Sequence, residues 1–348
     1  MSLIGYVTRI HFADRVLEDA LPEELRTLGV MRPVVVTDAA GEGDDLFDRL
    51  CDALPPHVAP VLTLSGETLC APAMRIEAAL QVARARADGV IGLGGKLALD
   101  TARILCRDPD RVLPMIALPT TTASVGLGVV LDGSGLAGNV VPALILCDPT
   151  LTLAADGAAT AAAGMDALTC CLEAYLCASW NPPADGIALE GLRRAAAWLE
   201  RAVADGQDIE ARREMLAAAL NAGLAAQKGL GGVHALAHAV EAEVGFSARH
   251  GVLHAALMPP VMAFNAPAVT DRLGPLRTAL RLAPGADIAA ALAALGRRIG
   301  LPERLTALGL GECALGRVAV RAAEDPANRT NPRHATAADY RRMLDAAL

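Results

Sequence analysis

Six short apolar runs, spaced by amphipathic stretches, constrain this chain more than any other feature. They are residues 6–12, Pro33-Val34-Val35-Val36-Thr37-Asp38, Val61-Leu62-Thr63-Leu64, residues 89–96 running into a glycine turn, Met115-Ile116-Ala117-Leu118, and Leu144-Ile145-Leu146-Cys147-Asp148-Pro149. Most are continuous rather than alternating, which suits parallel strands buried on both faces. Between them, residues 21–29, 44–54, 72–87 and 98–106 carry helical periodicity. Pro22 and Gly29 are expected near the start and at the stop of the first helix, and Pro55-Pro56 ends the second. Strands alternating with helices predict an open, mainly parallel Rossmann-like α/β sheet.

After Pro149 the texture changes. Helical periodicity covers segments near 158–177, 185–204, 209–228, 233–244, 251–265 and 288–299, and strand signals nearly vanish. The expectation is two domains, an α/β domain over 1–152 and an all-helical domain over 153–348. At 348 residues and 53 % apolar, the chain can bury cores for both.

Composition excludes some partners. The formal charge is −8 and there is no basic run, so nucleic acid is not expected. No apolar run approaches the roughly 18–20 residues of a membrane span, and the N-terminus lacks a signal-peptide layout. The eight cysteines are scattered, several within apolar runs, as buried free thiols are. A cytoplasmic protein is expected. Basic residues comprise 29 Arg and only 2 Lys, Lys96 and Lys228, so Arg in place of Lys carries little information here.

Ligands of open parallel sheets sit beyond the carboxyl ends of the strands. Three such ends carry suitable groups: Asp38, the Gly94-Gly95-Lys96 turn, and Thr120-Thr121-Thr122. A glycine turn lets backbone N–H groups approach a pyrophosphate at a helix N-terminus. The hydroxyls can bond phosphate or ribose, and the acid can bond ribose hydroxyls. A bound nucleotide is the expectation.

Four of the seven histidines fall in one stretch, as His234 and His238 and then His250 and His254. Each pair is spaced i, i+4, on one helical face. Neutral imidazole is a metal ligand and a general acid or base. Asp166 lies in the apolar run Gly164-Met165-Asp166-Ala167-Leu168, where an unpaired carboxylate is costly to bury. Asp166, His234 and His250 make a three-ligand set for a divalent cation, and Cys170, one turn after Asp166, is a softer fourth candidate.

Nine segments occur in one order: VVVTD at 34–38, IGLGGKLALDTAR at 91–103, ALPTTT at 117–122, LCDPTLT at 146–152, GMDALTCCLEAY at 164–175, GLGGVHALAHAV at 229–240, RHG at 249–251, LMPPVMAFN at 257–265 and NPR at 331–333. Together they resemble the iron-containing alcohol dehydrogenase family, with its relatives glycerol dehydrogenase and maleylacetate reductase. The resemblance implies a dehydroquinate synthase-like architecture with a divalent metal, Fe2+ or Zn2+, in the cleft. It implies Asp38 near the adenine ribose, Gly94 and Gly95 at the pyrophosphate, and Thr120 and Thr121 nearby. Lys96 and Asp100, in the same glycine-turn segment, are counted with the cofactor-binding residues. It makes Asp166, His234 and His250 metal ligands and His238 a proton relay beside nicotinamide or substrate. The activity implied is a metal-dependent, NAD(P)-linked interconversion of a small alcohol with its aldehyde or ketone. A dimer or larger homo-oligomer is the family's habit.

This chain departs from the family pattern in places. Cys170 stands where the family usually has His, although glycerol dehydrogenase-like members also lack it. A thiolate there would favour Zn2+. Lys96 and Leu97 replace a third Gly and a Ser of the usual turn, so Lys96 either crowds the diphosphate or pairs with it. His234 and His250 are sixteen residues apart, slightly more than in many members. Asp38 leans towards NAD(H), because an acid repels a 2′-phosphate. Lys228 and Arg249 flank the histidine motifs and are candidates for binding an acidic substrate, a carboxylate or phosphonate. The alternatives are a metal-free maleylacetate reductase-like enzyme, a nucleotide-binding or oligomer-forming relative that has lost catalysis, and a lyase like dehydroquinate synthase.

Overall fold

The computed structural model describes residues 8–38, 45–65, 72–106, 112–122, 141–244 and 250–348. They form two compact units, Gly5–Ala155 and Asp156–Leu348. The break falls three residues beyond the boundary expected at 152/153.

The first unit holds six strands: β1 Arg9–Phe12, β2 Pro33–Thr37, β3 Leu62–Ser65, β4 Gly89–Gly94, β5 Met115–Pro119 and β6 Leu144–Cys147. They make one sheet in the order β1-β6-β5-β4-β2-β3, every pair parallel, with Val35 opposite Ile91, Ile91 opposite Ile116 and Ala117 opposite Ile145. All residues of β2, β4, β5 and β6 are buried, as continuous apolar runs require, while β1 and β3, at the edges, are partly exposed.

Four helices connect the strands: α1 Val16–Leu28, α2 Asp45–Ala53, α3 Pro72–Arg84 and α4 Lys96–Leu105. α1 differs from expectation. It starts at Val16, five residues before Leu21, and Pro22 lies inside it. The reason is a long-range cap. The buried carboxylate of Asp148, just past β6, accepts hydrogen bonds from the Arg15 and Leu17 N–H groups at 3.0 and 3.4 Å. That stabilises a start no local signal marks and offsets the intrahelical bond Pro22 cannot make. Leu17, Leu21 and Leu25 of α1 join Val35, Ile91, Ile116 and Leu144 of the sheet in one core.

Among its described residues the second unit is all-helical: α5 Gly157–Leu176, α6 Pro182–Ala204, α7 Ile209–Ala226, α8 Gly232–Val244, α9 His250–Asn265, α10 Leu273–Ala279, α11 Ile288–Arg298, α12 Leu315–Glu324 and α13 Ala337–Ala347. α5 is the axis. Every residue from Thr160 to Leu176 is buried, and α6, α7 and α9 pack around it. A helix apolar on all sides belongs at the centre of a bundle. Side-chain caps by Asp156, Asn181, Asp208 and Asp287 start α5, α6, α7 and α11. No helix among the described residues is long and apolar enough to cross a membrane. All seven described cysteines are free.

Candidate metal centre

α5, α8 and α9 bring four side chains together within the second unit. Donor atoms of Asp166, His234, His250 and His254 all lie within 4.8 Å of one another. The site is built by close backbone packing. Gly251, in the first turn of α9, lies so close to α5 that a Cβ there would sit 1.8 Å from the Ala162 carbonyl oxygen. Only a residue without a side chain permits that approach. It carries His250 and, one turn on, His254 to the face of α5 that bears Asp166.

Carboxylates orient the imidazoles. Glu173 Oε2 lies 2.6 Å from His234 Nδ1, Glu241 Oε1 2.7 Å from His250 Nδ1, and Asp325 Oδ2 3.0 Å from His238 Nδ1. Each pair engages Nδ1 and leaves Nε2 for another role, the arrangement carboxylates impose on metal-binding histidines. Glu173 does more. It also accepts the N–H groups of Gly231 and Val233 at 2.9 and 2.6 Å, so one buried carboxylate starts α8 and orients its first imidazole. Asn331 accepts the Gly232 N–H at 3.0 Å and pairs reciprocally with Asn265. One acid and several oriented imidazoles fit a divalent ion of borderline hardness.

Cys170, the expected fourth ligand, is not in the group of four. Its sulfur lies 3.3 Å from His234 Nε2 and 4.0 Å from Asp166 Oδ1, beside the cluster. His254 joins the group instead. Its i, i+4 spacing from His250 was visible in the sequence, but only the helix crossing shows what it faces. Glu241 and Asp325 lay outside the nine segments singled out in the sequence, and Glu173 lay inside one, a carboxylate in the same apolar stretch as Asp166.

His238 is set slightly apart. Its ring centroid is 5.5 Å from that of His250 and 6.0 Å from that of His234. Burial lowers its pKa below the ordinary imidazole value, against the raising effect of the Asp325 bond.

Lys228, the expected substrate-binding cation, is engaged inside the helical unit. Its side chain is wholly buried, with Nζ 2.5 Å from Asp185 Oδ1 and 3.1 Å from the Tyr175 carbonyl oxygen. A buried cation so engaged ties α5, α6 and α7's end together. Arg249 lies outside the described residues.

In the first unit, the expected nucleotide-binding groups converge at neighbouring strand ends. Gly94 has φ +152°, and a Cβ there would meet Ala98 and Asp38 at 2.7 Å. Gly95 caps α4 without a side chain, and its N–H donates to Asp38 Oδ2 at 2.7 Å. The Thr120 N–H donates to the Gly94 carbonyl at 3.0 Å, and Thr121 borders Gly95. Asp38 therefore braces the turn directly, beyond any ribose contact. Lys96 is paired along its own helix with Asp100.

A parallel α/β unit followed by a helical unit with an Asp/His donor group is the architecture of the iron-containing alcohol dehydrogenases, and this chain belongs to that family. Residues 8–129 match the model for iron-containing alcohol dehydrogenase and residues 160–348 the model for the C-terminal part of the Fe-containing alcohol dehydrogenase family. The chain is accordingly an oxidoreductase of alcohols and aldehydes. It is 37 % identical to 4-hydroxybutyrate dehydrogenase of Cupriavidus necator, over all of both chains. It is 31 % identical to the NAD-dependent methanol dehydrogenase of Bacillus methanolicus, over 75 % of this chain and 77 % of that one. Among solved structures, maleylacetate reductase from Rhizobium sp. strain MTP-10005 superposes with a TM-score of 0.82 at 27 % identity, covering 99 % of this chain and 97 % of the other.

Proposed function

We propose that this chain is a metal-dependent, NAD(H)-linked dehydrogenase of a small ω-hydroxy carboxylic acid, interconverting the terminal alcohol and its aldehyde. The observation that carries the reading is the shared donor group of Asp166, His234 and His250, with Glu173 and Glu241 holding the two imidazoles by Nδ1. These residues would hold a divalent ion, iron by the family's description. When bound, the ion supplies a Lewis acid for the substrate oxygen and the nicotinamide supplies the hydride chemistry. His238 serves as the proton relay: Asp325 holds its Nδ1, and burial keeps the ring neutral and able to take the hydroxyl proton at Nε2. The Gly94-Gly95 turn, Thr120 and Thr121 would cradle the dinucleotide, with Asp38 favouring NAD(H) over NADP(H).

The acidic substrate is supported by the whole-length likeness to a 4-hydroxybutyrate dehydrogenase. Lys228 is spent on Asp185, so Arg249 is the remaining candidate of the two flanking cations for the carboxylate. The donor group counts against both a metal-free reductase and a relative without catalysis. The test compares kcat/KM with NAD+ for 4-hydroxybutyrate and for 1-butanol. One charge-assisted hydrogen bond predicts a preference for the acid of about tenfold or more. Equal values would remove the acidic substrate from the proposal, and no turnover of either would remove the dehydrogenase.

A further inference from the structure

We infer that the fourth protein donor of the metal site is His254 of α9, and that Cys170 of α5 lies outside the coordination. The inference deepens the metal-dependent reading and rests on it.

Three observations carry it. The donor group whose atoms lie mutually within 4.8 Å contains His254 and not Cys170. The His254 ring is the nearest imidazole neighbour of both proposed histidine ligands, with centroids 4.6 Å from His234 and 4.4 Å from His250, and its Nδ1 is 3.4 Å from Asp166 Oδ1. Its side chain is wholly buried, in a helix whose other buried residues are nearly all apolar. A polar ring held there needs a polar task. The Cys170 sulfur, by contrast, lies beside the cluster, 3.3 Å from His234 Nε2 and 4.0 Å from Asp166 Oδ1, and is not in the mutual donor group.

The donor set has a consequence for the metal. One carboxylate and three imidazoles are all hard or borderline ligands, so the softness argument for Zn2+ through Cys170 falls away. Four protein donors would also close a tetrahedral Zn2+ site, as in structural zinc sites. A metal of higher coordination number, such as Fe2+, would accept these four donors and a substrate oxygen.

Co2+ serves as the probe, added to protein stripped with a chelator and followed by absorption and by competition with a chelating dye. Three proteins are compared: wild type, His254→Asn and Cys170→Ala. Loss of a ligand should weaken binding at least as much as loss of an outer partner, so His254→Asn is expected to bind Co2+ about 100-fold or more weakly. Cys170→Ala should match wild type, and wild type should show no near-ultraviolet thiolate-to-cobalt charge-transfer band. X-ray absorption on the wild-type Co2+ protein needs no variant and should show only nitrogen and oxygen scatterers. A sulfur scatterer, or a charge-transfer band abolished in Cys170→Ala, would overturn the assignment. So would unchanged Co2+ affinity in a folded His254→Asn. Failure of wild type to bind Co2+ at all is a different result, which removes the metal-dependent reading itself.

Discussion

The α-carbon of Gly251 lies against the Ala162 carbonyl so closely that a methyl group on it would be 1.8 Å from that oxygen. This close approach is part of the α5–α9 packing that brings His250 and His254 to Asp166. Gly251→Ala should therefore damage the donor group without touching any donor. Alanine gains up to about 1 kcal/mol in helix propensity. The clash is with backbone, which cannot rotate away, and overpacking costs about 1–3 kcal/mol, so the clash wins. Gly274→Ala is the control, since a Cβ there meets nothing within 4 Å. Calorimetry and metal affinity should both fall for Gly251→Ala and hold for Gly274→Ala. An undiminished metal affinity in Gly251→Ala would show that the helix crossing does not govern the site.

Glu173→Gln keeps the shape of a buried side chain but turns an NH2 towards groups that already donate. Gly231, Val233 and His234 all donate to that carboxylate. The expected cost is about 2–3 kcal/mol, that of a hydrogen bond to a charged group, with a metal affinity lower by about 10–100-fold. Denaturant unfolding of the stripped protein reads the first effect and metal competition the second. A stability loss with metal affinity intact would confine Glu173 to capping α8.

Much of this arrangement could be read from the residues alone. The buried strands were legible because a run such as Val34-Val35-Val36 is apolar on both faces whatever the rest of the chain does. Asp166 stood out as a carboxylate in an apolar run, and His234 and His250 as members of two i, i+4 histidine pairs. Partners across long separations were not legible. Glu173 lies 61 residues from His234, Asp325 87 from His238, and Asp148 more than a hundred from the helix it caps. Local periodicity says nothing about such pairs. The earlier start of α1 and the place of His254 among the clustered donor atoms have this same origin.

His238 gives the pH dependence its sign. Burial depresses its folded-state pKa, while in the unfolded chain it titrates near the ordinary 6.5. Between those two values the unfolded chain binds a proton that the folded chain refuses. Stability should therefore fall as pH drops through that window. An NMR titration of the stripped protein, with the His238 resonance assigned by its loss in His238→Asn, should give a midpoint below 6.5. A midpoint at or above 6.5 would contradict neutral His238 as a proton acceptor at lower pH.

The cysteines should divide into two classes. Cys51 and Cys313 are exposed, whereas burial pushes the Cys106 and Cys147 thiols up to about 12 and raises Cys171 further. Reactivity follows the thiolate fraction and access. A disulfide reagent at pH 8, with mapping of labelled peptides, should modify exposed Cys313 and, more slowly for its raised thiol pKa, Cys51 in the native protein, and Cys106, Cys147 and Cys171 only after denaturation. Rapid native labelling of Cys106 or Cys147 would show that their surroundings open.

The central claim is that Asp166, His234 and His250 share a divalent ion that the dehydrogenase reaction requires. The most direct measurement is turnover of 4-hydroxybutyrate with NAD+ after complete metal removal, and again after anaerobic addition of Fe2+. The account predicts near-complete loss followed by recovery in the wild type, and no recovery in Asp166→Asn. Full activity in protein shown by elemental analysis to be free of metal would contradict it.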